Sequence, residues 1–74
     1  MQRDVAIRLD GMLIGVLAHL DSIAHYMKDN LSEDEYKTSI EAIGKAMGEA
    51  VGVSSSLHAL FPDIVPKELR PDAN

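Results

Sequence analysis

Apolar residues recur along the first half of the chain at alternating steps of three and four. The series runs through Ala6, Leu9, Leu13, Val16, Leu20, Ile23 and Met27. This spacing puts the series on one side of an α-helix, like the a and d positions of a heptad. It continues through Gly11 and Gly15 without a change of phase. The pattern predicts a helix over residues 4–29, with Asp4 as a candidate N-cap and Asn30 as a left-handed residue at its end.

A capping box opens the second half of the chain. The Ser32 hydroxyl can accept a hydrogen bond from the backbone N–H three residues on, and the Glu35 carboxylate can reach back to the cap, with Leu31 and Tyr36 at the two staple positions. Apolar and small residues then follow at helical spacing: Tyr36, Ile40, Ile43, Met47, Ala50, Ser54 and Leu57. These signals predict a second helix over residues 33–61, which ends before a proline.

The two series are mirror images in their spacing, which predicts how the helices pair. Antiparallel alignment places Met27 opposite Tyr36 and Leu9 opposite Ser54, and it centres the turn between residues 31 and 32. The capping signals place the turn at the same point. The predicted fold class is therefore all-α, an antiparallel two-helix hairpin over residues 1–61.

Small residues spaced about four apart form a second pattern, which we interpret as an interface. A small side chain lets the backbone of another helix approach closely. The alternative is that the glycines are tolerated or adjust a bend. The predicted interface residues are Gly11, Gly15, Ala18 and Ser22 on the first helix, Gly44, Gly48 and Gly52 on the second, and the apolar Ile14 and Leu17.

The first helix also carries apolar residues outside its inward series. They are Val5, Met12, Ile14, Leu17 and Ala24. A helix that is apolar around most of its circumference must be buried on more than one side, and a lone hairpin buries only one. With 74 residues and no cysteine, the chain can form neither a large core nor a disulfide. We therefore predict a homo-oligomer, and specifically a dimeric four-helix bundle.

Residues 62–74 differ in composition from the hairpin. Three prolines, at positions 62, 66 and 71, divide this segment into short pieces, and Ile64, Val65 and Leu69 offer apolar anchors. We predict a Pro-rich C-terminal tail that is docked through residue 69 and frayed beyond it. The alternative is a disordered end.

The charge of the chain restricts the classes of partner that it is expected to bind. The net charge is -5, with twelve acidic and seven scattered basic residues, so nucleic acid is not an expected partner. The most apolar run, residues 11–18, is far shorter than the roughly 20 residues of a membrane span. No signal-peptide pattern opens the chain. A cytoplasmic protein without a membrane span is the expectation.

The histidines suggest site chemistry that the surrounding residues do not support. Asp21, His25 and Asp29 share one helical face, but a solvated row of ion pairs explains that spacing better than a cation site. His58 follows Ser54 by one turn, yet the sequence indicates neither an orienting acid nor an oxyanion hole. We predict no enzyme, no catalytic residue, no metal and no cofactor.

The preferred function is therefore a small non-catalytic, homo-oligomeric helical module that acts through protein–protein interaction, as an adaptor or a regulatory subunit. One alternative is a nucleic-acid-binding regulator built as a dimeric helical hairpin, which would need more basic residues than Arg3 and Arg8 at one end of the first helix. A carrier of an apolar ligand is the other alternative.

Overall fold

The computed structural model describes residues 1–65. Two antiparallel α-helices of equal length, α1 (Arg3–Asn30) and α2 (Glu33–Leu60), are joined by a two-residue turn, and a 3-10 turn (Pro62–Ile64) follows. This part of the chain contains no strand. The predicted all-α hairpin is confirmed, and each helix boundary lies within one residue of its predicted position.

The capping box that opens α2 is confirmed in full. The Ser32 side chain accepts a hydrogen bond from the Glu35 backbone N–H at 3.2 Å, and the Glu35 carboxylate accepts one from the Ser32 backbone N–H at 2.9 Å. Both hydrogen bonds lower the pKa of Glu35. The one with the Ser32 backbone has the larger effect, and the one with the Ser32 side chain has the smaller. Two orphan N–H groups at the start of the helix are thereby satisfied.

The ends of α1 differ from their predicted form. Asn30 is not left-handed, since no residue between 1 and 65 has a positive φ. Instead it is the last helical residue, its side-chain amide donates to the Tyr26 carbonyl at 2.8 Å, and the extended Leu31 ends the helix. At the other end Gln2 is the N-cap, without a side-chain hydrogen bond. Asp4 lies in the first turn, where its charge suits the helix dipole.

The inward faces match the predicted series except at one position. Every predicted inward residue of α1 and α2 is buried or partly buried apart from Val16, which is 48% exposed. Leu17 takes the inward position in its place. The error arises because two sets of residues complete a heptad with the rest of the series. One set is residues 9, 16 and 23, and the other is residues 10, 17 and 24. Spacing alone does not choose between these two sets.

The hairpin is a single layer of helices with little interior. Among hydrophobic residues in the described part of the chain, only Ala6 (0% exposed) and Leu57 (3%) are buried. No large side chain there is completely enclosed. Stable domains usually bury their apolar faces between two layers.

The 3-10 turn returns toward the start of α1. The guanidinium of Arg3 donates to the Asp63 carboxylate, at 2.9 Å from Nε, and the same pair forms a salt bridge. This hydrogen bond and the charge of Asp63 raise the pKa of Arg3. Ile64 and Val65 are partly buried. The predicted docking of Leu69 and the fraying of residues 70–74 lie outside the described residues.

Candidate functional site

A buried acidic side chain joins the two helices near the open end of the hairpin. Asp10 of α1 is 5% exposed, although it is charged. Its Oδ1 accepts a 2.7 Å hydrogen bond from Ser54 Oγ and lies 3.1 Å from His58 Nε2, both on α2. Ser54 and His58 are one helical turn apart, so α2 presents them on the same side. One carboxylate oxygen of α1 thus accepts hydrogen bonds from two side chains of α2.

The electrostatics of this cluster favour the ionised carboxylate. Burial by itself would raise the pKa of Asp10, because it removes the charged form from water. The hydrogen bonds with Ser54 and His58, together with the charge interaction with His58, outweigh that effect. The net result is a lowered pKa for Asp10.

The same geometry differs from that of a nucleophilic triad. In a Ser-His-Asp site the serine donates to the imidazole, and the acid binds the other imidazole nitrogen. Here Ser54 donates to Asp10 and lies 3.4 Å from His58 Nε2, the nitrogen that also faces the acid. The serine hydroxyl therefore donates to the acid and not to the imidazole. Asp10, Ser54 and His58 form an interhelical polar contact that favours one register of α1 against α2.

This cluster was missed at the sequence level. The available signal was the position of Asp10 four residues after Ala6 and three before Leu13, which places it in the inward series.

The predicted interface residues lie mostly on open surface. All of them are exposed except Leu17, which is partly buried at the inward position described above. A Cβ added at any of the five glycines would meet no atom within 4 Å. Gly11, Gly15, Ala18 and Ser22 form a strip on the side of α1 remote from α2. The glycines of α2 form a second strip on a different side of the hairpin, so the fold does not bring the two groups together.

A shallow cleft lies beside the turn. It has a volume of about 220 Å³ and is lined by Asp21, Ala24, His25, Lys28 and Tyr36. The His25 ring is already engaged, because its Nδ1 lies 2.9 Å from the Asp21 carbonyl oxygen and 3.7 Å from the Asp21 carboxylate. Within residues 1–65, no three histidine, aspartate or glutamate side chains converge as a metal site would require.

Large apolar side chains are a more extensive surface feature than either polar group. The helices expose eight aliphatic or methionine side chains by between 43% and 63%. They are Val5, Ile7, Met12, Ile14 and Val16 on α1, and Val51, Val53 and Leu60 on α2. Met1 and Tyr26 are also exposed. Eight such residues on two helices far outnumber the two hydrophobic residues that are buried.

Comparison with known proteins identifies no relative: no protein-family model, no curated protein and no solved structure matches this chain. Neither helix in the described part of the chain combines the length and the apolar character needed to cross a membrane.

Proposed function

We propose that the protein is a small, non-catalytic helical module that assembles with copies of itself and acts through protein–protein contacts, as an adaptor or a regulatory subunit. The main support is that far more large apolar side chains lie on the surface than in the interior. Ala6 and Leu57 are the buried hydrophobic residues of the described chain, whereas eight large apolar side chains of the helices are 43–63% exposed. A second helical layer would bury those of the side chains that lie on the face it covers.

Energetics support assembly over an isolated hairpin. Full burial of one aliphatic side chain contributes about 1.5–3 kcal/mol, while ordering the backbone costs about 1–2 kcal/mol for every residue. A single layer with a partly exposed contact face gains little free energy from burial, yet it bears the full entropic cost of ordering the backbone. Small domains without disulfides or metals commonly resolve this imbalance by oligomerisation.

The charges give less support to a nucleic-acid-binding regulator. That function needs a stripe of unpaired basic side chains to contact phosphates. Arg3, one of the two arginines near the open end, is bound to Asp63. Lys37 and Lys45 on α2 lie 3.9 Å and 3.7 Å from Glu33 and Glu41. Protein surfaces are therefore the better class of partner.

The proposal is tested by absolute mass in solution, measured by light scattering behind a sizing column over a dilution series. We expect a species of at least two chains that persists to low micromolar concentration. A monomer of 8.1 kDa at every concentration would contradict the proposal. Added duplex DNA or RNA gives the control, since a nucleic-acid-binding protein would shift to a heavier complex that dissociates steeply with salt.

A further inference from the structure

We infer that a second copy of this chain covers one particular face of the hairpin. This face, called the apolar face below, is formed by Val5, Met12, Val16, Val53 and Leu60. The inference rests on the proposed self-assembly and adds to it the surface that is used. It differs from the small-residue interface predicted from the sequence, which lies on other sides of the two helices.

Helical geometry places the five residues together. At about 100° per residue, Val5, Met12 and Val16 lie roughly a quarter turn from the inward line of α1, on its preceding side. Val53 and Leu60 are displaced in the same rotational sense from the inward line of α2, through a slightly larger angle than the three residues of α1. An antiparallel helix pair has an approximate twofold axis perpendicular to the layer. Displacements of the same sense therefore bring both groups to the same face.

The opposite face is suited to water. It carries the exposed Ile7, Ile14 and Val51, but on α1 it also carries Arg3, Asp21 and Lys28, which are displaced in the other sense. The corresponding positions of the apolar face on α1, from Val5 to Ile23, hold no aspartate, glutamate, lysine or arginine, and His19, seven residues after Met12, is the one titratable side chain among them. Interfaces between identical chains are depleted of charge at their centre, so this asymmetry favours the apolar face.

The chain as a whole exposes more surface than a compact protein of its mass. The chain exposes 5673 Å². A compact monomer of this mass would expose about 4,500 Å², so the excess is roughly 1,200 Å² for each copy. A stable interface of standard size buries about 800 Å² on each partner. All five residues of the apolar face lie in the half of the hairpin remote from the turn, so the second copy covers that half.

Two matched pairs of substitutions distinguish the faces. Val53 and Val51 are 51% and 49% exposed, and Val16 and Ile14 are 48% and 52% exposed, yet the members of each pair lie on opposite faces. We expect V16K and V53K to raise the dissociation constant at least about tenfold, because each buries a lysine at the interface. I14K and V51K should leave it within about threefold of the parent value. Mass over a dilution series measures all four variants.

The chain contains no cysteine, so single introduced cysteines give a second readout that does not depend on tolerance of lysine. In V16C and V53C the thiol should react with a thiol reagent at least about tenfold more slowly than in I14C and V51C. The difference should diminish on dilution as the assembly dissociates.

The outcomes separate the two proposals. A parent chain that is monomeric at all concentrations overturns both the self-assembly and the assigned face. An oligomeric parent that is dissociated by V51K or I14K, with V53C and V16C freely reactive, overturns the face alone and moves the interface to the side of the α2 glycines. Dissociation by V16K and V53K, together with protected thiols at these positions, supports the inference.

Discussion

Asp10 and Ser54 are 44 residues apart in the chain, yet a 2.7 Å hydrogen bond joins their side chains between the two helices. His58, one turn beyond Ser54, shares the same carboxylate oxygen at 3.1 Å. An α-helix rises 1.5 Å per residue and turns by about 100°, so sliding α2 by one residue would remove both donors from the acid. The contact therefore favours the observed register over its neighbours.

The Asp10 cluster predicts a loss of stability in acid. Because the pKa of Asp10 is lowered in the folded chain, its ionised form is stabilised by folding. That contribution is fully present above the unfolded pKa of about 3.9 and is lost as pH falls through the lower, folded pKa. Asp10→Asn should therefore flatten the part of the stability profile that lies below about pH 4.

Denaturant unfolding at one fixed protein concentration, at about pH 7, 5 and 3, measures this effect. Glu35→Gln is the control, since the pKa of Glu35 is also lowered and Glu35 lies at the opposite end of the hairpin. If Asp10→Asn keeps the acid sensitivity of the parent chain and Glu35→Gln removes all of it, the buried cluster contributes no pH dependence.

The capping box predicts a specific cost for the loss of one hydroxyl. Ser32→Ala should lower the free energy of unfolding by about 1 kcal/mol, because the Glu35 backbone N–H loses its acceptor. Ser56→Ala is a matched control on the same helix. Its hydroxyl is exposed and donates to the Gly52 carbonyl of the same helix, so its removal should change stability by less than about 0.5 kcal/mol. Equal effects in the two variants would rule out a special role for the cap.

Substituting a glycine of α2 should raise stability, whereas loss of the cap lowers it. A Cβ at Gly48 meets nothing within 4 Å, and alanine is favoured over glycine in a helix interior by about 1 kcal/mol. If the second copy covers the apolar face, Gly48→Ala should raise the free energy of unfolding by about 0.5–1 kcal/mol and leave the oligomer mass unchanged. Gly15→Ala on α1 should behave in the same way. Dissociation in either variant would support the predicted small-residue interface instead.

Much of the fold was predictable because it depends on neighbours in the sequence. The capping box at Ser32 and the mirrored apolar series specify two helices and their turn through contacts within a few residues. The choice between Val16 and Leu17 was not predictable in this way. Both complete a heptad, and only the packing of α1 against α2 decides between them.

The candidate sites depend on contacts distant in sequence, and prediction was weaker there. Asp10 finds its two donors on the other helix, so the local spacing that places it in the inward series does not show which side chains bind its charge. The surface proposed to meet another copy depends on a second layer, for which the sequence offers two competing patterns. Small residues such as Gly48 form one, and the uncharged line from Val5 to Val16 forms the other.

If the chain assembles as proposed, the stability of the folded hairpin depends on protein concentration. The most direct test is the melting temperature, followed by far-ultraviolet circular dichroism, over about a hundredfold range of protein concentration. We expect the melting temperature to rise steadily with concentration, because association stabilises the folded chains by mass action. A melting temperature that is independent of concentration, with a complete two-state transition, would show that the single layer folds alone and would contradict the account.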